Sequence, residues 1–218
     1  MSAATPIDVR DMKIVHETFR RAYDQTAGLV RANPTPSAQR VTFLADHCDF
    51  ALGMLHTHHE SEDELLYPLL AERVPDQLAM VERIEAQHQE VTGAIDAAAA
   101  ACREWRTTPS HETGEALAAA LEELNRVLQP HLDDEEGQIV PLAAVTVTQE
   151  EWRSMGEHSR SMIPKDRMAV AFGMLLEPLD DDDRRYMKAE LPRPVRLLFP
   201  ILIQRPWNGY KEQLLHGT

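Results

Sequence analysis

The stretch His58-His59-Glu60-Ser61-Glu62-Asp63-Glu64-Leu65-Leu66-Tyr67-Pro68 recurs in outline as His131-Leu132-Asp133-Asp134-Glu135-Glu136-Gly137-Gln138-Ile139-Val140-Pro141. In each copy a histidine is followed by a glutamate at four residues, a second acid at five, largely apolar side chains at eight and nine, and proline at ten. The copies lie 73 residues apart. A lone histidine precedes each: His16 stands 42 residues before His58, and His88 stands 43 before His131. The chain therefore reads as one two-helix unit used twice.

Working outward, the apolar periodicity is helical. Met12, Val15, Phe19, Tyr23 and Leu29 predict a first helix over Asp8 to Arg31, closed by Asn33-Pro34-Thr35-Pro36. Ser37 is placed to cap a second helix from Ala38 to Glu72, with Pro68 as a kink. After Val74-Pro75-Asp76 a third helix is expected over Gln77 to Trp105, helped by the alanines 97–101. A fourth is expected over His111 to Ala144, kinked at Pro130 and Pro141. Four helices joined by short turns predict an all-α, up-down antiparallel four-helix bundle over residues 8–145. Residues 146–218 are broken by repeated prolines and predict short helices packed on the bundle or capping one end. Asp180 to Asp183 reads as a capped helix start, since it lacks the spaced ligands and glycine of a calcium loop.

Residues four apart share a helix face, so His58 with Glu62, and His131 with Glu135, can both point inward. In an up-down bundle the first and third helices are diagonal, as are the second and fourth. His16 and His88 then meet the two His–Glu pairs at one level. Ionised carboxylates in such a core are costly unless paired or bound to a cation. Four imidazoles and two carboxylates form a di-metal site of the kind built inside bundles, in a donor set that suits iron, manganese or zinc. His56 falls on the other side of its helix. His47 lies three turns from His58, about 16 Å along the axis. His111, His158 and His216 read as caps or surface groups. Asp63 and Glu136 are placed to orient a ligand imidazole or to face solvent, and Tyr23 and Tyr67 are candidates to stand behind the ligands.

Composition narrows the function. Lys+Arg is 22 against 36 Asp+Glu, a net charge of −14, which argues against binding nucleic acid or an anionic membrane surface. Two cysteines, Cys48 and Cys102, cannot make a disulfide framework and predict reduced thiols in a cytoplasmic protein. No leader is evident at the N-terminus, and the longest apolar run, Met168 to Leu176, is far short of the about 20 residues a membrane helix needs.

With these residues in view, the sequence resembles the hemerythrin-like family, the HHE cation-binding domain. Its signature, His … His-x-x-x-Glu … His … His-x-x-x-Glu, is matched by His16, His58/Glu62, His88 and His131/Glu135, and Leu66-Tyr67-Pro68 resembles the usual ending of the first motif. The C-terminal extension resembles those of some bacterial members. The resemblance implies a centre of two non-heme iron ions with a bridging oxo or hydroxo group. By position it implies that His16 and His58 bind one iron, that His88 and His131 bind the other, and that Glu62 and Glu135 bridge. The oxygen carriers have a further histidine one turn from the third-helix ligand. Here those positions are Ile84 and Thr92. His59 is the natural substitute, the alternative being an imidazole behind the ligands or facing solvent.

A histidine-rich set stabilises reduced iron relative to a carboxylate-rich one and leaves a coordination position open. The expected function is to bind or turn over O2, H2O2 or NO, with catalase-like peroxide removal or NO and redox-stress handling as the candidate activities. The alternative is an iron- or oxygen-sensing module whose apolar tail, Leu197 to Leu202, docks a partner. A structural zinc bundle ranks last, because structural zinc prefers thiolates.

Overall fold

A computed structural model describes residues 6–217. The expectation of no leader rests partly on residues 1–5, outside the described residues. The molecule is all-α, with no strand among the described residues. Helix α1 (Arg10–Arg31) begins just past Asp8, whose carboxylate accepts the Arg10 N–H at 3.1 Å. Helix α2 (Ala38–Leu65) starts as expected at Ser37, whose hydroxyl accepts the Arg40 N–H at 3.2 Å. It does not run to Glu72. The helix breaks at Leu66 and resumes as α3 (Tyr67–Arg73), because Pro68 has no N–H for the carbonyl four residues back.

The third expected helix is also two: α4 (Leu78–Glu85) and α5 (Gln87–Thr107), separated at Ala86 after a 3₁₀ turn at Pro75–Gln77. No proline or glycine marks that break. It coincides with the anchoring of Gln87 and His88 to neighbouring helices. Helix α6 (His111–Asp134) runs through Pro130 and passes into a π-helical turn at Glu135–Ile139 before α7 (Val140–Thr146). The fourth element is thus three pieces rather than one kinked helix.

Cross-links show the directions. Tyr23 meets Ala51 while His16 meets His58, so α1 and α2 are antiparallel. Arg31 pairs with Glu115 while Arg20 pairs with Asp133, so α1 and α6 are antiparallel. Cys102 meets Ala45 while His88 meets Asp63, and α5 likewise opposes α2. Helix α1 packs on α2 and α6, and α5 packs on the same two, leaving α1 diagonal to α5 and α2 to α6. The interior at one end is aliphatic with Tyr23 and Trp105, and at the other it gives way to histidine and glutamate.

The rest of the chain lies on this frame as α8 (Gln149–Ser161), α9 (Met168–Leu176), α10 (Asp181–Ala189), α11 (Arg193–Leu197) and α12 (Arg205–His216). Thr148 and Glu151 form a reciprocal cap on α8, and Asp180 caps α10 by accepting the Asp182 and Asp183 N–H groups at 2.9 Å. Helix α8 sits against α2, where the Ser159 hydroxyl donates to Ser61 Oγ at 2.8 Å, and Trp152 Nε1 donates to Asp11 on α1 at 2.9 Å. At the far end Arg40 donates to the carbonyls of Gln213 and Leu214, both at 2.6 Å, which ties α12 to α2. No helix among the described residues is long and apolar enough to cross a membrane.

Candidate metal centre

The seven residues singled out by sequence, His16, His58, His59, Glu62, His88, His131 and Glu135, lie together in one buried cluster. Each main bundle helix contributes: α1 carries His16, α2 carries His58, His59 and Glu62, and α5 carries His88. His131 stands on the last turn of α6, and Glu135 opens the π-helical turn after it.

Donor atoms fall into two groups that share a middle. His59, His88 and His131 form one, and His16, His58, Glu62 and Glu135 the other, with the ligand atoms of each group within 4.8 Å of one another. His16 Nε2 is 3.2 Å from His58 Nε2. Glu62 faces both groups, Oε1 lying 3.4 Å from His58 Nε2 and Oε2 lying 3.9 Å from His88 Nε2. Glu135 does the same, with Oε1 at 3.7 Å from His88 Nε2 and Oε2 at 3.5 Å from both His16 and His131. The His59 ring stacks on His88 with centroids 4.4 Å apart and meets His131 edge-on. It therefore does not face solvent.

The acids one position past each glutamate hold the histidines of the opposite half. His88 Nδ1 donates to Asp63 Oδ1 at 2.6 Å, and His16 Nδ1 donates to Glu136 Oε1 at 3.1 Å. The +5 acid of the first motif thus serves the lone histidine of the second, and the reverse. Each bond places the proton on Nδ1 and turns Nε2 toward the middle. His131 is held by Gln87, its Nδ1 donating to Oε1 at 3.1 Å. Tyr67 donates to Glu135 Oε1 at 2.8 Å. Its counterpart in the second motif, Val140, has no hydroxyl, so the two halves are chemically unequal. Tyr23 is not near the centre, because its hydroxyl donates to the Ala51 carbonyl.

Sequence reading missed Gln87 and Arg20. Arg20 pairs with Asp133 at 2.7 Å and also with Glu136, closing the ring behind His16. No repeat signal exposes either: Val15 stands in the place of Gln87 in the first half. His47 is buried elsewhere, sharing a hydrogen bond with the Tyr210 hydroxyl at 2.9 Å, and His158 pairs with Glu64 at the surface.

Burial, and then the charge of Glu135, push Glu62 well above the ordinary carboxylate range. Burial also opposes ionisation of Glu135, but His88, His131 and His16 outweigh it and hold that group well below the range. Burial acts to lower His88, yet the contacts with Asp63 and Glu135 lift it to about 10. Burial depresses His58 and His59 strongly and His131 to about 4. His58, His59 and His131 are thus held in the neutral form that ligates metal, whereas His88 and Glu62 carry protons that a bound cation would have to displace.

Unpaired atoms are the test of fit. Both nitrogens of His59, both oxygens of Glu62, Nε2 of His88 and His131, and Oε2 of Glu135 are buried without a hydrogen-bond partner. Buried polar atoms are nearly always satisfied, and seven of the nine exceptions among the described residues, all but Arg40 Nε and His47 Nε2, converge on one small volume. Nitrogen and oxygen donors with no thiolate fit a borderline cation such as iron. A family model described as the hemerythrin HHE cation-binding domain matches residues 8–143, more than half of the chain. No curated protein and no solved structure gives a significant match.

Proposed function

The chain belongs to the hemerythrin HHE cation-binding family, and from that premise we propose that it holds two non-heme iron ions and binds or turns over O2, H2O2 or NO. The observation that carries this reading is the set of buried donor atoms with no partner but one another. In this reading His16 and His58 hold one ion and His59, His88 and His131 the other. Glu62 and Glu135 would be shared between the two ions, since each carboxylate faces both groups. Bound iron supplies a redox-active pair to which a small ligand can coordinate.

The chain's own groups do the rest. Asp63, Glu136 and Gln87 fix the tautomers of three imidazoles and make their Nε2 atoms better donors. Tyr67 aims its hydroxyl at Glu135, which places a proton donor beside the ions. The apolar end of the bundle keeps bulk water out. We take residues 8–145 as the metal-binding unit and 146–218 as an extension packed on it. The two buried free thiols suit the cytoplasm, and the net charge of −14 speaks against a nucleic-acid partner.

Metal analysis of protein grown with ample iron tests the reading. It expects about two iron ions per chain and near-ultraviolet charge-transfer bands in the oxidised protein. Near-zero iron, or a colourless zinc protein, overturns it. Full iron retention in a Glu62→Ala, Glu135→Ala double variant overturns the bridging roles.

A further inference from the structure

Beside His58 the bundle and the extension line a cavity of about 140 Å³ that is partly open to solvent. Phe19 on α1 and Met54 on α2 form its inner wall. Met155 on α8, Ala171 and Phe172 on α9 and Met187 on α10 form its outer wall. The outer wall lies beyond residues 8–143, so it belongs to this chain's extension and not to the matched domain.

Three observations bear on what the cavity takes. First, most polar groups on its wall are already committed, and of the remainder Thr57 is half-buried and Arg160 is exposed to solvent. The Thr18 hydroxyl donates to the Ile14 carbonyl, Asp11 accepts from Trp152, and Ser159 donates to Ser61. A guest that needs hydrogen bonds finds few, and an apolar cavity of similar size stays dry and takes up xenon or benzene. Second, His58 is the one member of the seven-residue cluster that lines the cavity. It is the most exposed of the seven, at 7% against 0–4% for the others. Third, the wall is pinned at both sides of α8 by the Trp152–Asp11 and Ser159–Ser61 bonds, so the cavity is held open by the fold.

We propose that this cavity is a binding chamber for a small apolar molecule, built by the extension to hold a diatomic gas, dioxygen or nitric oxide, against His58. The role of the gas rests on the di-iron reading above, whereas the chamber itself does not. Dioxygen and nitric oxide are weakly hydrated and gain dispersion contacts among methionine and phenylalanine side chains. Hydrogen peroxide would have to shed its hydrogen bonds to water with little in return. The chamber thus selects among the candidate ligands of the centre.

Xenon is the probe. Crystals of the full chain, pressurised with xenon, are expected to show a xenon atom among Phe19, Met54, Met155 and Ala171. Ala171→Leu, with Met54→Phe as a second variant if the first folds poorly, is expected to abolish it. In the reduced, iron-loaded protein the same variant is expected to slow reaction with the gas by about tenfold and to leave peroxide decay within about twofold. Slowing with dioxygen alone or nitric oxide alone supports the chamber and identifies its guest. No xenon in the wild-type cavity overturns the site. Unchanged rates with both gases in a variant that has lost xenon, or equal slowing with peroxide, overturn its role. Xenon reads the chamber whether or not iron is bound, so failure of the metal reading is a separate result.

Discussion

At the scale of single residues, the centre is held by groups that are not themselves donors to the cation. Tyr67 is the clearest case, because its hydroxyl is the hydrogen bond to Glu135 that the second half of the repeat lacks. Tyr67→Phe keeps the ring against His88 and removes that bond. It is expected to cost about 1.5–3 kcal/mol in urea denaturation, the range for a hydrogen bond to a charged group, and to shift the optical bands of the loaded protein. An unchanged midpoint and spectrum would show that Glu135 does not depend on it. His47 is a second residue whose burial has a consequence. Burial, with Arg167 and Arg40 nearby, lowers it to about 4. The unfolded chain therefore takes up the proton first. Stability from the neutral ring is complete above pH 6.5, the unfolded value, and is lost as pH falls toward the folded value. Between pH 6.5 and 5 the loss attributable to His47 is roughly 2 kcal/mol. A His47→Gln variant should lose correspondingly less over that window in parallel urea titrations.

At the scale of elements, the breaks explain how one repeated motif builds an uneven site. Both prolines at position ten stand in the first turn of a new short helix, Pro68 in α3 and Pro141 in α7. The first motif ends in a single break at Leu66, while the second passes through a π-helical turn that begins at Glu135. Such turns are rare and collect at functional sites. The extension has its own critical contact. A Cβ on Gly173 would lie 2.1 Å from the Trp207 ring, and Trp207 is held in place by donating to Glu177 at 3.0 Å. Gly173→Ala should therefore part α9 from α12 at a cost of about 1–3 kcal/mol. Limited proteolysis should cut the variant in residues 162–205 before it cuts the bundle. A wild-type digestion pattern would mean the ring simply rotates aside.

At the scale of the whole molecule, one end of the bundle is a conventional core and the other holds buried ionisable groups, several of whose atoms have no hydrogen-bond partner. Removing the metal should leave Glu62 and Glu135 facing each other in a low-dielectric interior. Chelation is expected to lower the melting temperature, with the stabilisation by bound metal reaching about 4 kcal/mol when free metal exceeds its dissociation constant a thousandfold. Calorimetry with and without chelator measures this, and identical transitions would count against a bound cation. Pieces far apart in sequence cooperate in that end of the molecule. Asp63 holds His88, Glu136 holds His16, and α8 supplies part of the wall beside His58.

The amino-acid order alone carried the all-α class, the antiparallel succession of helices and the seven clustered side chains. It could do so because helical spacing is local: residues four apart share a face, and a repeated His–Glu pair marks that face twice. Asp63, Glu136 and Tyr67 were visible as candidates, but their partners were not, since each reaches across to another helix. Gln87, the break at Ala86 and the π-helical turn left no local signature. Nor did the chamber beside His58, whose walls come from α1, α2 and an extension more than 90 residues further along. Those features depend on which surfaces meet in three dimensions, and periodicity along one helix says nothing about what packs against it.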